Sequence, residues 1–282
     1  MKKSGFIILL LFVFFNVHNA WAGDPLSETE KTEMLNQAGD FFHQALKLSE
    51  TGNTGKIPSS AVEELLKKSL MRYERLIRSG VGNGKIFYNI GNIYFRLGDI
   101  GRAIVNYRRA EIYAPDDRNL KQNLSYALSR RQDRIEEKQK EKLLKTFFFW
   151  HYDLSPKIRS ILFTVFYTGF WTFAVVILFK QNPATKWGLG ITLTFFLLFM
   201  GSLGVERFGS SENAYGVLVD REVVARKGDS TSYQPSFEEP LHAGVDFRLL
   251  DSRGQWLHIE LMDGRTCWVP AGSTELVTNI EH

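Results

Sequence analysis

Polar side chains recur at a fixed interval between residues 85 and 130, and their chemistry is that of recognition. Asn89 recurs as Asn123 and Arg96 as Arg130, each 34 residues later. An amide both donates to and accepts from a peptide backbone, and a guanidinium holds a carboxylate. The alternative is that these are ordinary solvated residues on an exposed face. The residues of this predicted partner-binding surface are Lys85, Tyr88, Asn89, Asn92, Arg96, Asn123 and Arg130.

No spacing typical of an enzyme accompanies them. The six histidines are scattered, and neither HExxH, Gly-x-Ser-x-Gly nor a phosphate loop ending in Gly-Lys-Ser/Thr occurs. The single cysteine, Cys267, excludes an intrachain disulfide and a cysteine-built zinc site, and we interpret it as a small buried hydrophobe. We therefore predict a protein that is not an enzyme and has no cofactor or metal.

Charge is distributed unevenly along the 282 residues. Residues 24–145 carry 22 Lys and Arg against 17 Asp and Glu, whereas residues 206–282 carry 7 against 13. The net charge of +4 is too small to indicate nucleic acid as a partner. The hydrophobic content of 44% excludes a wholly disordered chain.

Two close-packed helices are predicted around the recurring residues. Small Gly91 and Ala103 let antiparallel helices approach, and Gly98-Asp99 makes the turn between them. The full pattern consists of Phe87, Ile90, Gly91, Tyr94, Ala103, Tyr107, Ala110 and Pro115. This segment resembles a tetratricopeptide repeat. The resemblance implies a domain, residues 23–145, that binds extended peptides or partner helices.

The flanks of this segment fit the repeat less well. Helices are expected at residues 35–48 and 61–79, separated by an insertion at 49–60, and a closing helix at 117–131. This gives about two repeats and a cap, fewer than the three usually needed, so that oligomerisation or a partner would complete the stack. Residues 135–145 are predicted to form a solvated helix leading to the interfacial aromatic residues 147–150.

Three apolar runs indicate a membrane protein. Residues 6–15 follow Lys2 and Lys3 and precede Ala20-Trp21-Ala22, which predicts a signal peptide at 1–22; an uncleaved anchor is the alternative. Residues 160–179 and 187–205 carry no charge, which predicts a two-span transmembrane hairpin at 158–206. Two buried helices of a large globular domain are the alternative.

The orientation of the hairpin is argued in two ways that disagree. The signal peptide would export both flanking domains. Positive charges favour the reverse, since residues 140–159 are richer in Lys and Arg than the hairpin loop with Lys180 and Lys186. We follow the signal, because the first hydrophobic segment usually dominates. The predicted location is the bacterial inner membrane with both soluble domains facing the periplasm.

The last 70 residues change from helical period to alternation. Short strands are predicted at 217–219, 222–226, 247–250, 256–261 and 266–269, which indicates a small all-β half-open barrel at 212–282. Within 256–261, Trp256 and His258 point away from Leu257 and Ile259 and form a second candidate binding surface. Packing of Trp256 at the barrel rim is the alternative.

This last segment resembles the bacterial Src-homology-three-like domain. The resemblance rests on five features: the short strand Val223-Val224-Ala225-Arg226, Leu241-x₂-Gly244 before a valine-rich strand, Gly254-x-Trp256, Asp263-Gly264, and Trp268-Val269-Pro270. Where that family often has Gly before the last Trp, this chain has Cys267. Such domains commonly bind peptides or cell-wall peptidoglycan, which is what the resemblance implies here.

The order of the segments is informative as a whole. A multidomain membrane protein with an α-helical tetratricopeptide-repeat domain, two transmembrane helices and a small all-β half-open barrel resembles the BatE family of the Bacteroides aerotolerance operon. The resemblance implies a non-enzymatic membrane-anchored scaffold in an aerotolerance or envelope-stress complex. Its partners would be membrane proteins with von Willebrand factor A domains, a MoxR-type ATPase system and membrane lipid. The alternative function is a peptidoglycan sensor that acts through the barrel.

Overall fold

The computed structural model describes residues 26–51, 60–136, 138–209 and 214–277. They belong to two compact units, which divide in sequence between Ile86 and Phe87. The predicted signal peptide at 1–22 and most of the predicted insertion at 49–60 lie outside the described residues.

The first unit contains two packed helices, α1 (Glu28–Thr51) and α2 (Ser60–Arg78). The buried residues of α2 recur every three or four positions, at Val62, Leu66, Ser69, Tyr73 and Leu76, and this spacing places them on one face. The hydroxyl of Ser69 donates to the Ala38 carbonyl of α1 at 2.7 Å, so the polar residue in this stripe is satisfied. Both expected helices are therefore present, and α1 is longer than expected.

Three short helices follow: α3 (Gly84–Arg96), α4 (Ile100–Tyr113) and α5 (Arg118–Ser129). Gly98 adopts a φ of +81° in the α3–α4 turn, and the Asp99 carboxylate caps α4 by accepting from the Arg102 amide at 3.0 Å. A Cβ at Gly91 would lie 2.6 Å from the Tyr107 ring. The close approach predicted for α3 and α4 is confirmed.

Beyond α5 the described chain has no regular secondary structure until α6 (Gln139–Phe147), which the short α7 (Phe149–Tyr152) follows. The prediction of a helix from residue 135 was wrong at its start. Lys138 instead donates its backbone N–H to the Met262 carbonyl at 3.1 Å, in the C-terminal part of the chain. A long-range bond therefore replaces the local helical bond at this position.

Two apolar helices, α8 (Pro156–Phe179) and α9 (Pro183–Gly209), pack against each other. Both are long and apolar enough to cross a membrane. Gly188 lets them approach, since a Cβ there would lie 2.5 Å from the Phe173 ring. Near one end, Arg159 is only 4% exposed and its Nη1 donates to Ser202 Oγ at 3.0 Å.

The strands of the C-terminal β-domain, residues 214–277, are β1 (Tyr215–Leu218), β2 (Glu222–Val223), β3 (Leu241–His242), β4 (Asp246–Arg253), β5 (Trp256–Leu261), β6 (Thr266–Pro270) and β7 (Thr274–Val277). They form an antiparallel five-stranded sheet in the order β6-β5-β4-β1-β7 and a two-stranded ribbon of β2 and β3. The five expected strands are present, although β3 and β7 were not predicted.

The sheet closes around one apolar core. Leu257, Ile259 and Leu261 alternate into it from β5, which confirms the predicted period of two. Gly254 (φ +57°) and Gly264 (φ +89°) lie in the two turns that join β4, β5 and β6. These left-handed turns set the register of the three strands.

Candidate functional site

A hydrogen-bonded network joins α3, α4 and α5 within the second unit. The Asn92 side-chain carbonyl accepts from the Tyr107 hydroxyl at 2.8 Å and from the Asn123 amide at 2.9 Å. The same Asn123 amide nitrogen lies 2.9 Å from the Tyr88 hydroxyl, to which it donates. Three of the predicted binding residues thus contact one another, with Tyr107 as a fourth member.

The network fixes the relative positions of three helices by polar contacts. Burial raises the pKa of the Tyr107 hydroxyl well above its usual range. The rings of Tyr88 and Tyr107 also lie 6.1 Å apart in a tilted arrangement. Asn92 and Asn123 are half-buried and hydrogen-bond to each other, so their first role is to join α3 to α5.

An exposed tyrosine with an arginine over its ring lies beside the network. Tyr126 is 50% exposed, and its ring is 5.4 Å from that of Phe95 on α3. The Arg130 guanidinium lies 5.0 Å from the centroid of the Tyr126 ring and also donates to its hydroxyl. An exposed aromatic ring with a cation held over it is thereby presented to solvent.

We call this combined area the α3–α5 surface; it consists of Tyr88, Asn92, Phe95, Arg96, Asn123, Tyr126 and Arg130. Neither α3 nor α5 contains an Asp or Glu, and on α3 Lys85 and Arg96 are basic. Arg96 and Arg130 are both exposed. The surface is therefore suited to an acidic ligand.

The remaining predicted residues of this group are placed on α3. Lys85 is exposed and Asn89 is half-buried. Phe95, Tyr107 and Tyr126 were missed as members of the site. Tyr126 could have been found from its position four residues before Arg130, which puts both on one helix face. The bond from Tyr107 depends on how α3 and α4 pack and gives no sequence signal.

The second candidate surface divides into two separate environments on the β-domain. The His258 ring stacks on Trp268 at 4.8 Å with an angle of 9° between the planes, and the Arg253 guanidinium is 5.0 Å from the Trp268 ring. Trp256 instead lines an open cleft of about 330 Å³, from which His258 is absent. The other lining residues are Glu222, Val223, Val224, Arg226, Thr231, Gln255, Pro270 and Ser273.

The described ranges hold no cluster of metal-ligating side chains, and their cysteine is buried. Among these residues no set of three or more His, Cys, Asp and Glu is placed to hold a metal ion. Cys267 is buried, and burial raises the pKa of its thiol to about 12. A thiol with that pKa is almost wholly protonated near neutrality and is a poor nucleophile.

No known family model matches this chain, and neither does any curated protein or solved structure.

Proposed function

We propose that this chain is a non-enzymatic membrane scaffold that binds an acidic, extended segment of a partner protein on the α3–α5 surface. The observation that carries the proposal is the exposed Tyr126 ring with Arg130 held over it, on helices whose only charged residues are basic. Aromatic and arginine side chains held in a fixed geometry are the usual energetic anchors of protein interfaces.

The helical network supports this role because it prepares the surface before binding. Asn92, Asn123 and Tyr107 connect three helices, so that Tyr126 and Arg130 need little ordering when a partner arrives. The resemblance of α3 and α4 to a tetratricopeptide repeat points to the same kind of ligand, an extended segment or a helix.

The proposed setting is the periplasmic face of a bacterial inner membrane, with α8 and α9 as the anchor. By the family resemblance, the partners would be membrane proteins with von Willebrand factor A domains and a MoxR-type ATPase system in an aerotolerance or envelope-stress complex. Lipid is the further partner, contacted by α8 and α9 and by the aromatic residues that precede them.

A crosslinked pull-down from native membranes tests the proposal. We expect the double charge reversal Arg96→Glu and Arg130→Glu to lose the membrane proteins that the native chain captures, because it inverts the charge of the α3–α5 surface. Lys121→Glu is the matched control, since Lys121 lies on the opposite side of α5 from Asn123 by helical period. Equal capture by all three chains would contradict the proposal.

A peptidoglycan sensor is the second candidate, and the cleft beside Trp256 favours it. The cleft combines an aromatic wall with Glu222 and Arg226, which suits a ligand that has both apolar and hydrogen-bonding groups. Co-sedimentation of the full chain with purified cell wall distinguishes the two functions. Binding that Trp256→Ala abolishes would support the sensor, and absence of sedimentation would exclude it.

A further inference from the structure

The backbone of the β-domain lies directly against one side of α4. A Cβ added at Gly101 of α4 would lie 2.8 Å from the Leu218 carbonyl oxygen and 2.9 Å from the Val219 Cα. Ile104 is fully buried, and its terminal methyl carbon would be 2.9 Å from a Cβ at Gly244. The helix and the sheet are therefore packed as tightly as two elements of one core.

Beside this contact, a first set of ion pairs joins α4 to β7. Glu275 forms ion pairs with two arginines of α4, at 3.1 Å to Arg102 Nε and 3.2 Å to Arg109 Nη1. Arg109 also donates to the Leu276 carbonyl at 2.9 Å. The backbone bond fixes the guanidinium that faces the carboxylate.

A second set of charges is centred on Asp246 of β4, which is only 5% exposed. Its Oδ2 lies 3.1 Å from Arg131 Nη1 and 3.5 Å from Arg108 Nη2. Removal of the arginines would leave a buried carboxylate with fewer compensating charges, so this pairing makes separation of the two parts unfavourable.

The extended chain after α5 continues the same interface. Asp133 accepts from the His242 backbone amide at 2.6 Å and lies 2.9 Å from the Nδ1 atom of its ring. Ile135 packs against the apolar core of the β-domain. Lys138 completes the path with a 2.7 Å ion pair to Glu260. Residues 131–138 are thus held on the sheet wherever they are described.

We infer that the β-domain is the missing neighbour of the helical array formed by α3, α4 and α5. A stack of this kind needs a further unit to cover its last helices, and the repeat count expected from the sequence falls short of three. Here α4 and the chain after α5 are covered by the same polypeptide, with four arginines facing Asp246 and Glu275. The helical array is completed from within, without a second copy.

The inference has a topological consequence. Residues 87–136 precede α8 and residues 214–277 follow α9, yet the two parts share one interface. Two parts in direct contact lie on the same side of any membrane that α8 and α9 cross. The hairpin of α8 and α9 then returns the chain to the side of the membrane on which the helical array lies.

Hydrogen exchange of the full chain in lipid nanodiscs tests whether the helices and the β-domain stabilise each other. A substitution is made in one of the two, and amide exchange is measured in the other. Glu275→Arg is expected to raise exchange of the α4 and α5 amides about tenfold or more, because a cation would face Arg102 and Arg109. Gly101→Ala is expected to raise exchange of β1 and β7, because its Cβ meets backbone that cannot move aside.

The controls are matched in chemistry. Asp251→Arg reverses a partly exposed charge near the C-terminal end of β4, where the carboxylate pairs with Arg253 of the same strand, and Gly39→Ala fills a helical position with nothing within 4 Å. We expect neither to change exchange in the other part. Unchanged exchange in both Glu275→Arg and Gly101→Ala would overturn the inference.

Sidedness is tested with single exposed cysteines at Ser125→Cys and Ser252→Cys in the full chain. The native Cys267 is buried and serves as an unreactive background. An impermeant thiol reagent should label both new cysteines in the same vesicle orientation. Labelling in opposite orientations would refute a shared interface even if both variants fold.

Discussion

At the scale of single residues, Asn92 is the centre of the proposed site. It accepts one bond from Tyr107 and one from Asn123, whose amide also bonds Tyr88. The recurrence of Asn89 as Asn123 predicted that this amide lies on a shared surface with α3. The direct partner of Asn123 is Asn92, however. This pairing depends on how α3 is aligned along α5, which the repeat period alone does not define.

A double-mutant cycle measures how far this network acts as a unit. Tyr107→Phe removes one donor and leaves Asn92 satisfied by Asn123, so we expect a loss of about 1 kcal/mol. Asn92→Ala leaves two donors without their acceptor and should cost about 1–3 kcal/mol. The double variant should cost less than the sum of the two. The free energy of opening of α3 and α4, obtained from hydrogen exchange, provides the comparison; strict additivity would contradict a shared network.

At the scale of elements, local pattern predicted the helices and most strands, and tertiary contacts decided the exceptions. Gly91, with Tyr107 against it, confirms the predicted helix packing, and the alternation of β5 confirms its buried face. Strand β7 was missed because its role is to pair with β1 far along the chain. Residues 135–138 were predicted as helix because they are charged, whereas Lys138 bonds Met262 and Glu260.

The elements just before α8 are exposed and aromatic. Phe147 is 70% exposed and Phe149 is 56% exposed, and Trp150 packs edge-on against Phe149 at 5.6 Å. Exposed rings next to a helix that is long and apolar enough to cross a membrane, with Lys145 and Lys157 nearby, fit a position at the boundary between lipid headgroups and hydrocarbon.

A nitroxide label locates this segment relative to lipid. A label at position 149 in liposomes should be accessible to oxygen and shielded from a polar nickel complex, because oxygen concentrates in hydrocarbon. The same label at Arg134, which is exposed before α6, should show the reverse. Equal accessibility at the two positions would place residues 147–150 in water.

At the scale of the whole molecule, the uneven charge of the sequence acquires a physical meaning. The basic residues of the N-terminal half include Arg102, Arg108, Arg109 and Arg131, and the acidic residues of the C-terminal segment include Asp246 and Glu275. The basic residues of the N-terminal half and the acidic residues of the C-terminal segment thus meet at one interface. Composition alone did not indicate this, because an excess of charge does not say which surface it faces.

The same interface does not cover the exposed residues of the α3–α5 surface. The β-domain covers α4 on the side of Gly101 and Ile104, while Tyr126 and Arg130 remain exposed. If a partner also entered the cleft beside Trp256, two weak contacts on one body would reinforce each other. The central claim is therefore that partner proteins bind where Tyr126 is presented.

Site-specific photocrosslinking in native membranes tests that claim most directly. A photoreactive phenylalanine replaces Tyr126 in one chain and Lys121, on the opposite side of α5, in the other. We predict that position 126 forms an adduct with another membrane protein, that Arg130→Glu abolishes it, and that position 121 forms none. Adducts of equal yield at both positions, or a 126 adduct that is indifferent to Arg130→Glu, would contradict the α3–α5 surface as the binding site.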